Sequence, residues 1–307
     1  MILFLNPNCD HDTGLSKWKK IEKEVQTRLG AFELVRVKSI QQLNDKVKEA
    51  LHQGERNFIA AGGDGTVHLL LNALIQCHSK PNTILGAIGL GSSNDYHKPY
   101  NAKSLIQGIP VKLDFTRTIL RDVIQIVYSD THGKKIVRFC LINASIGITA
   151  EGNAVFSSRR KWIRMLQRVS IDAAIMASAL KTIFSYSNLP AQMMVNNREE
   201  MDVSISNLGV IKNPHFTGSL CYDTPIEPDD GLIGINLSYN LSIYERIRLL
   251  LALQKRRFQG RPKARCWKAT KLRVKSNRMF ALEMDGEVIY TNKAEFHVLP
   301  KRLRCCS

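Results

Sequence analysis

The chain has 307 residues, 44% of them hydrophobic and 23% charged, a balance that excludes a disordered or fibrous protein and leaves room for one large domain or two ordinary ones. Its 44 Lys and Arg against 27 Asp and Glu give a net charge of +17, so an anionic partner is expected: a phosphorylated ligand, an acidic membrane surface or nucleic acid. Seven cysteines without paired spacing exclude a disulfide framework and a Cys-x-x-Cys zinc module, and fit a reducing cytosol.

Ile2 to Leu5 reads as a buried strand that runs into Asn6-Pro7, followed by a polar loop and a helix from about Ser16 to Leu29. Phe32 to Val37 is a second strand, and Ile40 to His52 carries helical spacing at Leu43, Val47 and Leu51 before the Gly54 stop. Asn57 to Ala61 is a third strand, the turn Gly62 to Thr66 opens an apolar helix, and Ile84 to Ile88 is a fourth strand. Strands and helices alternating at this spacing predict parallel βαβ units in an N-terminal doubly wound α/β layer-sandwich domain, with ligands at the carboxyl ends of the strands.

After Leu113-Asp114 the period changes to two. Strands are predicted at Arg121 to Tyr128, Lys135 to Ile142, Gln192 to Val195, Asp202 to Ser206, Leu232 to Leu237, Ala269 to Val274 and Phe280 to Met284. They indicate a C-terminal antiparallel β-sandwich domain. Helical insertions are expected from Arg160 to Tyr186 and from Tyr244 to Phe258.

The N-terminal apolar run Met1 to Leu5 is too short for a signal peptide, and Ala173 to Ala179 falls short of the about 20 residues that span a bilayer. The expectation is a cytoplasmic protein whose membrane contact is peripheral. From Asn240 onward 17 Lys or Arg face 5 Asp or Glu, so +12 of the net charge lies there. Only Phe258 and Trp267 interleave the basic residues between Lys255 and Arg278, which is thin for base stacking and disfavours nucleic acid. Cys305-Cys306 lacks prenylation spacing and is expected as a pair of surface cysteines.

Four segments carry candidate chemistry. In Gly62-Gly63-Asp64-Gly65-Thr66-Val67-His68 the glycines allow close backbone approach to a polyphosphate at a helix start, while Asp64 calls for a cation or a hydroxyl proton. A plain Asp-Gly turn is the alternative for this segment alone. Gly89-Leu90-Gly91-Ser92-Ser93-Asn94-Asp95 is a second glycine turn, in which Asn94 and Asp95 either cap the next segment or meet nucleotide. Glu227-Pro228-Asp229-Asp230-Gly231-Leu232 is either a solvated turn or a site where Asp230 holds a hard divalent ion with nearby carbonyls. Glu283-Met284-Asp285-Gly286-Glu287 reads as a hairpin with an extra carboxylate.

Together with Asn6-Pro7, Gly14, Leu113-Asp114, Asn143 to Gly147 and Phe296 to Pro300, and in this order, these segments resemble the diacylglycerol kinase catalytic-domain family, in particular the bacterial soluble lipid kinases, with the sphingosine kinases as relatives. The resemblance implies a nucleotide domain of residues 1–118 completed by a return of 294–307, and a lipid-substrate domain of 119–293. It implies ATP as phosphoryl donor, Mg²⁺ and a lipid hydroxyl as acceptor, diacylglycerol-like or sphingoid. Asn6, Pro7, Gly14, Ser39, Gly62 through His68, Ser92 and Asn94 match the ATP loops. Asp230, with the carbonyls of Glu227 and Leu232, matches a structural Mg²⁺ site, Glu287 the proton acceptor, and Asp64 a residue that positions the catalytic ion and the hydroxyl. Specificity is expected to depend on a pocket between the two domains, and a homodimer is left open.

The chain also departs from the family at named positions. The first loop, Asn6 to Gly14, is long, Leu69 stands where the family commonly has Glu, and Asn94-Asp95-Tyr96-His97-Lys98 replaces a segment ending in Arg. A non-catalytic, nucleotide-responsive protein that binds acidic membrane through its basic face is therefore carried alongside the kinase.

Overall fold

The computed structural model describes residues 1–80, 82–100, 104–130, 132–158, 163, 165–166 and 170–307, with the side chains of residues 11, 171 and 172 also left aside. The chain divides into two compact units, Met1–Arg121 with Lys301–Ser307, and Asp122–Pro300. The first is mixed α/β, and the second is rich in sheet.

In the first unit the strands are β1 (Ile2–Leu5), β2 (Glu33–Arg36), β3 (Asn57–Gly62) and β4 (Ile84–Gly89), parallel and ordered β2-β1-β3-β4. The intervening helices are α1 (Cys9–Asp12), α2 (Gly14–Leu29), α3 (Ile40–His52) and α4 (Asp64–Gln76). Leu3 and Leu5 of β1 and Ile59 and Ala61 of β3 pack with Trp18, Ile21 and Val25 of α2. The alternating residues Phe4, Phe58 and Ala60 are fully buried as well, so both sheet faces are covered, as parallel sheets require. Helix α4 buries Val67, His68, Leu70, Leu71, Asn72, Ala73, Leu74 and Ile75, which explains its nearly unbroken apolar run.

Strands β5 (Leu105–Ile106) and β6 (Ile109–Lys112) form a hairpin, and β6 runs antiparallel to β4. The chain then builds β7 (Thr118–Ser129), β8 (Lys135–Cys140) and β9 (Asn143–Gly147), the helices α5 (Ile148–Phe156) and α6 (Ile171–Ser185), β10 (Leu189–Val195) and β11 (Met201–Ile211). After a short pair, β12 (His215–Phe216) and β13 (Leu220–Cys221), come β14 (Ile233–Tyr239), α7 (Ile243–Gln254), β15 (Ala264–Ala269), β16 (Lys271–Met284) and β17 (Glu287–Cys306). In the second unit β15-β14-β11-β10-β16-β17 are antiparallel neighbours, and β9 pairs with both β11 and β16. Its core includes Ile124, Ile146, Met193, Leu208, Ile235, Leu282 and Phe296.

Several expectations need correction. The predicted strand Ala269 to Val274 is broken: β15 ends at Ala269 and β16 starts at Lys271, where Asn196 Oδ1 accepts the Thr270 and Lys271 N–H groups. The predicted strand ending at Ile142 stops at Cys140, because the N–H groups of Leu141 and Ile142 are claimed by Asp285. The segment Phe280 to Met284 is the end of a 14-residue strand. The helical insertion from Arg160 lies partly outside the described residues, and its described helix is α6. Cys305 and Cys306 are 0% and 1% exposed, not surface residues, because the strand that carries them pairs with β4 through Arg304 and Cys305.

His97 generates a prediction. Its ring is buried against Tyr96, neither ring nitrogen has a partner among the described residues, and burial, with Lys112 nearby, lowers its pKa to about 3. An unfolded imidazole takes up a proton near pH 6.5 while the folded one stays neutral, so stability present above that value is lost on acidification towards about pH 3, with a slope up to about 1.4 kcal/mol per pH unit. Urea unfolding at a series of pH values should show this slope reduced in His97→Gln; an unchanged slope would contradict it.

Candidate active site

The order β2-β1-β3-β4 places a topological switch point between β1 and β3, where the chain leaves the sheet in opposite directions. Asn6 follows β1, and Gly62 ends β3. Asn6 Nδ2 donates to Thr66 Oγ1 at 3.2 Å, joining the first loop to the glycine turn. A Cβ on Gly14 would meet Cys9 Sγ at 2.4 Å and the Asn6 carbonyl at 2.9 Å, so the long first loop folds tightly on itself. Pro7 contributes its carbonyl to the Leu15 N–H at 3.2 Å. Lys17 Nζ closes this loop against Asp10 Oδ2 at 2.5 Å and the Leu90 carbonyl at 3.3 Å. Burial, partly opposed by Lys17, pushes the Cys9 thiol up to about 11, which makes it a poor nucleophile.

The two glycine turns touch through their backbones. A Cβ on Gly91 would lie 2.4 Å from Gly63 Cα, and Gly62 O accepts the Leu90 N–H at 2.9 Å. Asn94, at φ 49, braces the second turn by accepting from the Gly91 N–H at 3.0 Å and donating to its carbonyl at 2.9 Å. Asp64 bridges the same two turns: Oδ2 accepts the Asp95 N–H and Oδ1 the Tyr96 N–H, each at 3.0 Å. Asp95 in turn pairs with Lys98 Nζ at 2.7 Å.

Asn6, Gly14, Gly62, Gly63, Asp64, Thr66 and Asn94 are thus drawn into one connected set at the carboxyl edge of the sheet. Gly65 and Ser92 are exposed on it. Val67 and His68 are instead 2% and 1% exposed within α4, where His68 Nε2 meets Asn72 Nδ2 at 3.3 Å. Ser39 caps α3, its hydroxyl accepting the Gln42 N–H at 3.1 Å.

In the second unit the carboxylates sit on turns between antiparallel strands. Asp285 (φ 47) and Gly286 (φ 95) make a two-residue hairpin between Met284 and Glu287, with both central residues left-handed as the tightest hairpins require. Asp285 is buried, and its two oxygens accept three backbone N–H groups, from Leu141 at 2.9 Å and from Ile142 and Asn143 at 3.0 Å each. Glu283, also buried, accepts from Ser145 Oγ at 2.8 Å and the Gly286 N–H at 2.6 Å. Glu287 opens β17 beside these two and is half-buried.

The predicted metal ligands do converge, but on an ammonium group. Lys212 Nζ donates to Asp230 Oδ1 at 2.8 Å, to the carbonyls of Glu227 at 2.6 Å and Leu232 at 2.8 Å, and to Asp122 Oδ2 at 2.8 Å. Burial alone would raise the Asp230 carboxyl, but hydrogen bonds from Lys212 and from the Leu232 and Glu227 N–H groups hold it below its ordinary value. Among the described residues no three His, Cys, Asp or Glu side chains gather as a metal set. Lys212 and Asp122 were not singled out from the sequence. They lie far from the turn along the chain, and a lone Lys after a strand gives no local signal.

Residues 1–120 match the diacylglycerol kinase catalytic domain model. Over these residues the chain is similar to the diacylglycerol kinase catalytic-domain family. A probable lipid kinase, YegS, of Escherichia fergusonii is 44% identical over 68 residues, which is 22% of this chain and 20% of that protein. YegS of Escherichia coli is 36% identical over 103 residues, 33% of this chain and 31% of that protein. The matched segments therefore span less than a third of the length of these relatives. Beyond them the likeness is one of fold. A diacylglycerol kinase structure from Bacillus anthracis superposes with a TM-score of 0.63 at 14% identity, over 99% of this chain and 95% of that one. A second structure from that organism gives 0.71 at 17% identity, over 99% and 94%.

Two substitutions test the geometry. Asp285→Asn turns one oxygen into a donor facing a backbone N–H, and should cost about 2–4 kcal/mol in urea unfolding, whereas Asp229→Asn, on an exposed side chain, should stay within about 0.5 kcal/mol. Gly91→Ala would force the two glycine turns apart, costing about 1–3 kcal/mol in urea unfolding.

Proposed function

We propose that this chain is an ATP- and Mg²⁺-dependent lipid kinase that phosphorylates a hydroxyl of a diacylglycerol-like or sphingoid lipid. The observation that carries the reading is the bridged pair of glycine turns at the β1/β3 switch point, within a diacylglycerol kinase catalytic domain. Glycine turns and the start of α4 suit the phosphates of ATP, which when bound supplies the γ-phosphoryl group. Asp64 has lone pairs beyond those that accept the Asp95 and Tyr96 N–H groups, so it can still face a Mg²⁺ ion brought by the nucleotide. The lipid oxygen bonds to the γ-phosphorus as the bond to the β-phosphate oxygen breaks, and Glu287 accepts the hydroxyl proton.

The substrate class demands work at a bilayer surface. No described helix is long and apolar enough to cross a membrane. Peripheral docking from the cytoplasmic side is supported by the basic C-terminal half and by exposed apolar residues of the second unit, among them Phe184, Tyr244 and Leu251. Each Lys or Arg close to an anionic leaflet contributes about 1 kcal/mol. The layer-sandwich and β-sandwich descriptions of the two domains belong to this same reading.

A second reading is favoured by one observation. Both Asp64 oxygens already serve backbone groups, as they would in a nucleotide-responsive protein without turnover. Transfer of labelled γ-phosphate to extracted lipids separates the two. The kinase reading expects a labelled lipid, with Glu287→Gln slower by about 10²–10⁴-fold and Asp64→Asn strongly impaired. ATP binding and liposome association with no labelled product would instead establish the second reading.

A further inference from the structure

We infer that the Lys212 ammonium is a built-in replacement for a structural divalent cation, and that the 227–232 turn is held in place without a metal ion. Lys212 follows directly on β11, and its side chain is 1% exposed. Four oxygens surround Nζ at 2.6–2.8 Å. Three of them, from Glu227, Asp230 and Leu232, belong to the turn, and the fourth, from Asp122, belongs to β7. An ammonium has three N–H donors, so four oxygens about one nitrogen make an ion's cage and not a simple pair.

The surroundings reinforce the cage. Asp122 Oδ2 also accepts the Gly231 N–H at 2.7 Å, and the Asp122 N–H donates to the Pro228 carbonyl at 2.8 Å. Asp230 accepts from the Leu232 and Glu227 N–H groups at 3.1 and 3.3 Å. These hydrogen bonds between Asp122 and the turn therefore run through the oxygens that the ammonium gathers, or through their immediate neighbours.

A divalent ion does not fit beside this lysine. Mg²⁺ would need the same oxygens at about 2.0–2.1 Å, and Ca²⁺ at about 2.3–2.6 Å, leaving like charges adjacent in buried surroundings. The cage nevertheless retains a divalent site's donor set: two carboxylates and two carbonyls, all hard oxygens. Removing the lysine takes the ammonium away from two carboxylates, and that vacancy should take up a divalent cation. A covalently attached cation also makes the turn insensitive to the free metal concentration, whereas a bound ion would stabilise it only by mass action.

Mn²⁺ serves as the probe, read by electron paramagnetic resonance on the full chain without nucleotide, alongside thermal unfolding in EDTA or millimolar Mg²⁺. The wild-type Tm should be equal in the two buffers, and Asp230→Asn should leave Mn²⁺ binding unchanged. Lys212→Met should lower the Tm by on the order of 10 °C, regain part of that loss in Mg²⁺, and bind an additional Mn²⁺ that disappears when Asp230→Asn is added. The proposal is overturned by a wild-type protein that Mg²⁺ stabilises and that loses a bound Mn²⁺ on Asp230→Asn. It is equally overturned by a folded Lys212→Met that ignores divalent ions. Should Lys212→Met not fold, the wild-type and Asp230→Asn measurements decide. None of these readouts involves phosphoryl transfer, so they stand apart from the kinase reading.

Discussion

A backbone N–H that leaves a sheet and is buried must find an acceptor, and in this protein carboxylates supply it at the critical turns. Asp64 takes the Asp95 and Tyr96 N–H groups, and Asp285 those of Leu141, Ile142 and Asn143. Glu283 takes Gly286, and Asp230 takes Leu232 and Glu227. These bonds are charge-assisted, and all but the exposed one from Glu227 are shielded from solvent to some degree, which makes them stronger than neutral ones and costly to lose. The turns that carry the candidate chemistry are held in shape by acids that are themselves part of the candidate chemistry. A carboxylate that has accepted two or three N–H groups is rigid, and rigidity in the supporting shell is what in-line group transfer requires.

Close backbone contact is the second constraint, in the first unit. Gly63 and Gly91 belong to turns 28 residues apart in sequence, yet any side chain on Gly91 would overlap Gly63. The two glycines are therefore needed for each other, whatever the turns bind. The same holds for Gly14, whose missing side chain lets the nine-residue first loop close on Asn6 and Cys9. The length of that loop, which sets it apart from the family's short turn, is accommodated by an added helical turn and the Lys17–Asp10 pair.

The parts of the fold legible in the sequence were those set by local period. Strands β1, β3 and β4 and helices α2, α3 and α4 follow from apolar spacing and glycine stops, with edges off by one or two residues. What depended on distant partners was not legible. The break at Thr270 comes from Asn196, and the end of β8 from Asp285, which is more than 140 residues away along the chain. In the candidate site, the glycines and carboxylates announced themselves by residue type and company, but their partners did not. Asp64 was read as calling for a cation or a hydroxyl proton, and its oxygens also accept the Asp95 and Tyr96 amides. Asp230 was read as either a solvated acid or a metal ligand, and the partner it meets is the Lys212 ammonium. His68, within a phosphate-loop pattern, lies in the core because α4 is buried nearly all round. A motif specifies where the backbone turns more reliably than it specifies what each side chain meets.

Strand β17 runs from Glu287 to Cys306, and its last residues pair with β4 beside residues formed far earlier in the chain. During synthesis, β4 waits for that neighbour until the whole second unit has been made. The sheet of the first unit is completed by the last strand of the second, and until then the edge of β4 lacks a neighbour at Ile84 and Leu85, while β6 covers Ala87 and Ile88. Such an edge is a template for mispairing, and contacts of such long range form slowly. The buried pair Cys305-Cys306 is the seal on that edge: small, apolar and placed where Tyr96 and Arg121 also converge. The last strand of the chain thus completes a sheet whose other strands are made before the second unit.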